Sequence, residues 1–448
     1  MASLTDSPLA AGSGSDAASP RPAVGARRGP RSRTATEDVS YTDLYARWER
    51  GNWCATEIDF SRDPDDWRAL GEEQRRAALW LWSAIFSAED AVTDNITPYI
   101  DAMPREEQKY FLATHQVDEA RHTVMFHRFY HEVAGCGHAD AIASTLAAAD
   151  AYLNWGYRKV FTRLDAMADE LRRDRSLEKL AEAVTLYFVI GEAGLGQPSQ
   201  LAVVDYLTEA DVLPGIRTGF ERISNDEHRH IAFGVKFLAD LYSEHGQPVQ
   251  DAIVRVLREV LAWVAMVPIP PNWDMSYYEA WGLSIDQFGE RGVTSMERAM
   301  RAIGLPLEEI PGFPLAIDVP PRERFMQGVE LARANMIGPG GPISHDPELI
   351  ATLFDLTRRR IDPRRLPAGT TIQWDFDDVD PWHIEVDSGG GAAVHGRVRR
   401  PDLTFRCGFD DWVDLTAERV TPGRLLRGRR LRPRGKLWLL PSFARAVA

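Results

Sequence analysis

Apolar positions recur at helical spacing through most of the chain up to about residue 303, and at alternating spacing only near its end. A helix is predicted from about Trp67 through Glu89 to Ile100, with a break near Gly71. Pro104 opens a second, which has Glu106 and Glu107 in its first turn and ends before Gly135. An amphipathic helix over about 146–171 follows, then one over 177–206 and one over 215–244 that stops before Gly246. Residues 250–303 read as two or three further helices around a Pro-rich loop at 266–275. Residues 304–344 hold many Pro and Gly and read mainly as linker, with a short helix over 321–336. A helix over 347–360 then precedes four alternating segments, at 371–376, 383–386, 392–395 and 403–407. Their alternation, with turns such as Asp387-Ser388-Gly389-Gly390-Gly391, predicts an antiparallel sheet, and two short helices at 409–418 and 422–426 close the chain.

Composition refines this picture at a few points. At 448 residues the chain is too long for one compact core, so two domains are expected, at 39–303 and 345–448. Residues 1–38 are Ala, Gly, Ser, Pro and Arg with hardly any large apolar side chains, and are expected to be a disordered tail. The net charge of -14 argues against nucleic acid as a partner, and the basic run 424–434 reads as a solvated face. Cys54, Cys136 and Cys407 show no paired spacing, which suggests a reducing, cytoplasmic compartment and no zinc site. The longest apolar run, 260–267, is too short to span a membrane and ends at Pro268. Arg27-Arg28 is followed by no hydrophobic region, so a twin-arginine signal is rejected.

The chemistry sits in two short stretches, Asp118-Glu119-Ala120-Arg121-His122 and Asp226-Glu227-His228-Arg229-His230. Each is a Glu-x-x-His motif, and residues three apart on a helix share a face. Each also has a Glu upstream on a preceding helix, Glu89 and Glu192, at separations of 30 and 35 residues. A lone motif of this kind is usually solvated surface. Two copies in apolar surroundings, with matched upstream Glu residues, form the ligand set of a dinuclear carboxylate site in a four-helix bundle. Burying four carboxylates and two imidazoles without a cation would be very costly. Asp118 and Asp226 precede ligand Glu residues. One or both are expected to fix the ligand His of the opposite half through its free ring nitrogen, or else to be surface or helix-stabilising carboxylates.

Around these residues, Glu89-Asp90-Ala91-Val92-Thr93-Asp94, Tyr187-Phe188-Val189-Ile190-Gly191-Glu192 and the two Glu-x-x-His stretches resemble the ligand-binding oxidases related to the ribonucleotide reductase small subunit. The resemblance spans about 41–303. It implies a ferritin-like helical bundle, a manganese/iron site with a di-iron pair as the variant, dioxygen as co-substrate, an unidentified electron donor and a long-chain fatty acid or similar apolar ligand near the metals. A homodimer is expected from the resemblance only. Residue by residue, it implies manganese on Glu89, Glu119 and His122, and iron on Glu192, Glu227 and His230, with Glu119 bridging. It also implies an ether crosslink between Val92 and Tyr187. Five residues is about 140° off-face in an ideal helix, so spacing alone does not select Tyr187. His228 stands where the family more often has a small residue, and is either a surface substitution or a change beside the ligands. Residues 345–448 resemble the sterol carrier protein type two domain, through their strand pattern and Pro401-Asp402-Leu403-Thr404-Phe405-Arg406. That implies an α+β lipid-binding-type domain.

The expected function is therefore an oxidoreductase, a dioxygen-activating dimetal oxidase. Three alternatives stand beside it. An N-oxygenase or desaturase of a biosynthetic pathway would use the same metals. A non-catalytic lipid carrier would have a structural metal site. A true reductase subunit would need a radical store. The position one turn after His122 is Phe126, and all twelve tyrosines lie at or before Tyr278, so no C-terminal tyrosine exists for electron transfer.

Overall fold

The computed structural model describes residues 39–138, 141–387 and 391–447, so the expected tail 1–38 and residues 388–390 of the turn lie outside the described residues. Helix α1 (Tyr41–Gly51) starts on a capping box in which Ser40 and Asp43 each satisfy the other's amide, at 3.0 and 3.1 Å. The helix expected over 67–100 falls into three pieces: a short helix Asp63–Ala69, α2 (Glu72–Asn95), and a short helix Thr97–Ala102. The first break is the one foreseen near Gly71, whose amide donates to Gln74 Oε1 at 3.0 Å. Helix α3 (Glu106–Glu132) packs along α2.

The helix expected over 146–171 is also divided, into Ile142–Asp150 and α4 (Trp155–Arg173). Asn154 causes the break. Its Oδ1 caps the Tyr157 amide at 2.9 Å, and its Nδ2 donates to the carbonyls of Met266, Val267 and Ile269. The helix expected over 177–206 begins as α5 (Leu177–Val184), widens into a π-helical segment (Thr185–Gly196), and resumes as α6 (Gln197–Ala210). Helix α7 (Pro214–His245) follows and ends at Gly246, whose φ of +64° a side chain would disfavour. Buried Asp63 fixes the start of α7 from outside it, accepting from the amides of Gly215 and Ile216 at 2.8 Å each.

α7 lies against the π segment with no space to spare. A Cβ on Gly234 would fall 2.3 Å from Cβ of Phe188. Gly234→Ala is expected to cost about 1–3 kcal/mol by overpacking. A urea-unfolding midpoint equal to wild type would show that the two elements have room to part.

Helices α8 (Gln247–Val264), α9 (Ile285–Ile303) and α10 (Pro321–Arg333) complete the first part of the chain. The short helix expected within the linker stretch is α10, and it is packed: α10 lies on α9, with the Phe325 ring filling the space a side chain at Gly289 would need.

Helix α11 (Pro347–Arg360) leads into β1 (Thr370–Phe376), β2 (Trp382–Val386), β3 (Ala392–His395) and β4 (Leu403–Cys407). Helices α12 (Phe409–Thr416) and α13 (Pro422–Arg427) follow, then β5 (Arg432–Gly435) and α14 (Leu440–Val447). The sheet order is β3-β2-β1-β4-β5. The antiparallel expectation holds for β1–β2, β2–β3 and β4–β5 but not for β1–β4, which are parallel, with Trp374 opposite Phe405. Alternation records which face of a strand is buried, and carries no information on strand direction. Here the chain crosses from the β3 edge to the free side of β1, which makes β4 parallel. Strand β5 hides in the run read as a solvated face, because an edge strand tolerates Arg and Pro. The rings of Phe354, Trp374, Phe405, Trp412 and Phe443 fill the layer between sheet and helices. No helix among the described residues is long and apolar enough to cross a membrane.

Candidate metal centre

Four elements bring the six expected ligands together: α2 carries Glu89, α3 Glu119 and His122, the π segment Glu192, and α7 Glu227 and His230. Each is at most 6% exposed. One donor atom each from Glu89, Glu119, His122 and Glu227 lie mutually within 4.8 Å, and so do those from His115, Glu119, Glu192 and His230. Glu119 belongs to both groups. Glu227 falls with Glu89 and His122, whereas the resemblance put it with Glu192. Its Oε2 lies 3.9 Å from His230 Nδ1. Individual approaches are short: His122 Nδ1 is 3.1 Å from Glu89 Oε2, and His230 Nδ1 is 3.2 Å from Glu119 Oε1.

The outer nitrogens of the two imidazoles are held crosswise. His122 Nε2 lies 3.2 Å from Asp226 Oδ2, and His230 Nε2 lies 3.1 Å from Asp118 Oδ2. Both carboxylates are buried, so their reading as surface residues does not hold. Trp48 donates to Asp118 and Trp53 to Asp226, at 2.8 Å each. Arg229 joins the halves, donating to Asp226 Oδ1 at 2.7 Å and Asp118 Oδ2 at 2.8 Å. His228 is exposed, and its ring faces the Ser224 carbonyl, which favours the reading as a surface residue.

The inner atoms are short of partners. Glu192 Oε1 and Oε2, Glu227 Oε2 and His230 Nδ1 are buried with no hydrogen bond. Such orphans cost about 1–3 kcal/mol each, more when charged. Burial, then the charges of neighbouring carboxylates, holds Glu89 and Glu192 well above the usual carboxylate range and pushes Glu227 up to about 7. A cation would remove all of these penalties together. The donors are carboxylates and imidazoles with no thiolate, a set that suits iron and manganese. The residues therefore fit a dimetal group.

Tyr187 reaches the same place because its segment is π-helical. In an i→i+5 hydrogen-bonded helix, residues five apart come close to one face, which an α-helix denies them. The Tyr187 hydroxyl lies 2.6 Å from His115 Nε2 and 3.3 Å from Glu119 Oε1. Beside it runs a cavity. Glu89, Val92, Glu119, Tyr187, Glu192 and Glu227 line it, together with largely apolar side chains such as Ile85, Val160 and Leu195.

His115 was missed in the sequence. It is fully buried, one turn before Glu119, and its ring stacks on His230 with centroids 3.5 Å apart. The signal was there: His-x-x-x-Glu-x-x-His places three donors on one face of α3. The second motif has Ile223 at the equivalent position.

Two family models match the chain: "Ribonucleotide reductase, small chain" over residues 34–263 and "SCP-2 sterol transfer family" over residues 356–447. Among solved structures, an R2-like ligand-binding oxidase from Sulfolobus acidocaldarius is 26% identical, with a TM-score of 0.50 over 59% of this chain and 89% of that one. A variant of an R2-like ligand-binding oxidase with an anaerobically reconstituted Mn/Fe cofactor is 24% identical, with a TM-score of 0.51 over 59% and 93%. The latter likeness concerns the fold.

Proposed function

Because the chain belongs to the family of the ribonucleotide reductase small chain, we propose that it is a dioxygen-activating dimetal oxidase that acts on a long-chain lipid or another apolar ligand. One observation carries this reading: a buried cluster of orphaned carboxylates and imidazoles opens onto a largely apolar cavity. Glu89, Glu119, His122, Glu192, Glu227 and His230 would hold the metal pair, with Glu119 common to the two donor groups. Manganese and iron are the proposed metals, as in the reconstituted relative, with a di-iron pair as the variant. When bound, the pair supplies electrons to dioxygen and the oxidising power to remove hydrogen from a C–H bond.

The chain's own residues do the rest. Asp118 and Asp226 orient the imidazoles, and the apolar lining excludes water and seats an alkyl chain. Among the described residues the lining contains no Lys or Arg, so a carboxylate head group would find opposite charge there only at the metals. Phe126, packed between Phe86 and Phe220, has no phenol to store a radical, which disfavours a reductase role. Residues 345–448, a domain of the sterol-transfer type, would carry the same class of ligand.

Val92 and Tyr187 line one cavity, and an ether bond between Tyr187 Oη and Val92 Cβ, with loss of one hydrogen from each, is the expected self-reaction. Peptide mass spectrometry of protein loaded with manganese and iron(II), before and after air, tests it. A loss of two hydrogens confined to the peptides holding Val92 and Tyr187 is expected, and Tyr187→Phe should abolish it. An unchanged mass with both metals bound would sink the crosslink.

A further inference from the structure

The repeat that builds the centre is twofold in its six expected ligands but not in its histidines. α3 carries an imidazole one turn before its Glu, where α7 carries Ile223. We propose that His115 is a third imidazole donor of the dimetal centre, on the side of Glu192 and His230, and that it steers iron to that side. This rests on the dimetal reading above.

The geometry is that of a coordination position. His115 Nε2 lies 2.6 Å from the Tyr187 hydroxyl, 2.7 Å from Glu119 Oε1 and 3.2 Å from Glu192 Oε1. His230 Nδ1 lies 3.2 and 3.7 Å from the same two oxygens. Neighbouring donors around an ion with bonds of about 2.1 Å stand about 3 Å apart. The stacked rings, tilted by only 12°, aim two nitrogens at one pair of carboxylate oxygens. An imidazole serving only as a packing or hydrogen-bonding group would not need two buried Glu oxygens and a buried His nitrogen left unpartnered beside it.

The two sides then differ in kind. The Glu89 side offers three carboxylates and one imidazole, whereas the Glu192 side offers two carboxylates and two imidazoles. Imidazole favours iron over manganese, and divalent iron binds a given nitrogen–oxygen site more tightly than manganese. His115 is also the least firmly held of the three rings. Asp226 and Asp118 anchor the outer nitrogens of His122 and His230, but His115 Nδ1 has no partner. Its loss should therefore cost iron at least about tenfold in affinity, the low end even for groups that only support a ligand.

The test loads full-length apoprotein without oxygen, using equimolar manganese(II) and iron(II), for wild type, His115→Gln and His115→Ala. Metal content per chain is measured after desalting. Anomalous diffraction at the two edges locates each metal, and iron-edge X-ray absorption counts imidazoles. Wild type should hold two metals, with iron beside Glu192 and two imidazoles on it. Both variants should still hold two metals, with the iron-to-manganese ratio on that side lowered at least about tenfold. Two metals with a single imidazole on iron would overturn the role of His115 and leave the dimetal reading intact. A variant ratio equal to wild type would do the same. A wild-type chain that binds neither metal would overturn both. If the variants fail to fold, the wild-type imidazole count still decides.

Discussion

Replacing Glu119 with Ala should empty the centre more completely than any other single change. Glu119 is the one carboxylate shared by both donor groups. Its oxygens lie 2.7 Å from His115, 3.2 Å from His230, 3.5 Å from His122 and 3.3 Å from the Tyr187 hydroxyl. Losing it removes a ligand from each metal at once, so both affinities should fall by more than about 100-fold, beyond the range seen for groups that only support a ligand. Metal retained after desalting should drop from two per chain to below one. The fold should survive, because the change also relieves repulsion: Glu119 is the main neighbouring charge raising Glu89 and Glu227. Proton release gives a second reading. In wild type, Glu89 and Glu192 sit above the usual carboxylate range and Glu227 at about 7, so metal must displace protons and affinity should fall as pH drops below about 7. In Glu119→Ala the remaining groups titrate lower, and fewer protons should be released per metal bound. Retention of two metals by this variant would show that the bridge is elsewhere.

The donor cluster was legible because its residues come from helices, where a spacing of three is a geometric statement. Glu119 with His122, and Glu227 with His230, needed no knowledge of the fold. The crossed partnership of Asp118 with His230 and Asp226 with His122 was legible for a related reason. Each Asp precedes a ligand by one residue, which turns it toward the neighbouring helix. Tyr187 was not legible from spacing, since the rule applied was that of an α-helix and the segment is π-helical. Nothing in Thr185–Gly196 announces that change except its three glycines, and glycines more often mark a turn. His115 lies outside the repeated pattern: it stands one turn before its Glu, where the second motif has Ile223. In the C-terminal part, alternation gave the strands but could not give the parallel pairing of β1 with β4, and β5 has too little apolar content to stand out.

Arg229→Leu is expected to be the most destabilising substitution around the centre. The guanidinium spans Asp118 and Asp226 at 2.8 and 2.7 Å and is itself only 8% exposed. Removing it leaves two carboxylates, 1% and 2% exposed, facing each other across the bundle. Arg121 remains, 3.1 Å from Asp118 but 3.9 Å from Asp226, and its guanidinium also lies over the Trp53 ring, so it cannot take over both. Breaking a buried ion pair from one side costs about 3–5 kcal/mol. Arg229→Lys should fall between, because a point charge cannot donate to both carboxylates in the fork geometry that Arg provides. Urea unfolding should be done on metal-free protein, since bound metal would add its own stabilisation. The acid limb supplies the sign. Burial alone would raise Asp226, but the hydrogen bond and charge of His122, with Arg229, hold it below the usual carboxylate range. A depressed carboxylate stabilises the fold above its unfolded value of about 4, and that stability drains away as pH falls toward the folded value. Wild type should therefore lose stability below about pH 4, and Arg229→Leu, with part of this contribution already gone, should show a shallower decline. A variant within about 1 kcal/mol of wild type would mean that Arg121 and the two tryptophan donors suffice to hold the carboxylates, a weight this geometry does not give them.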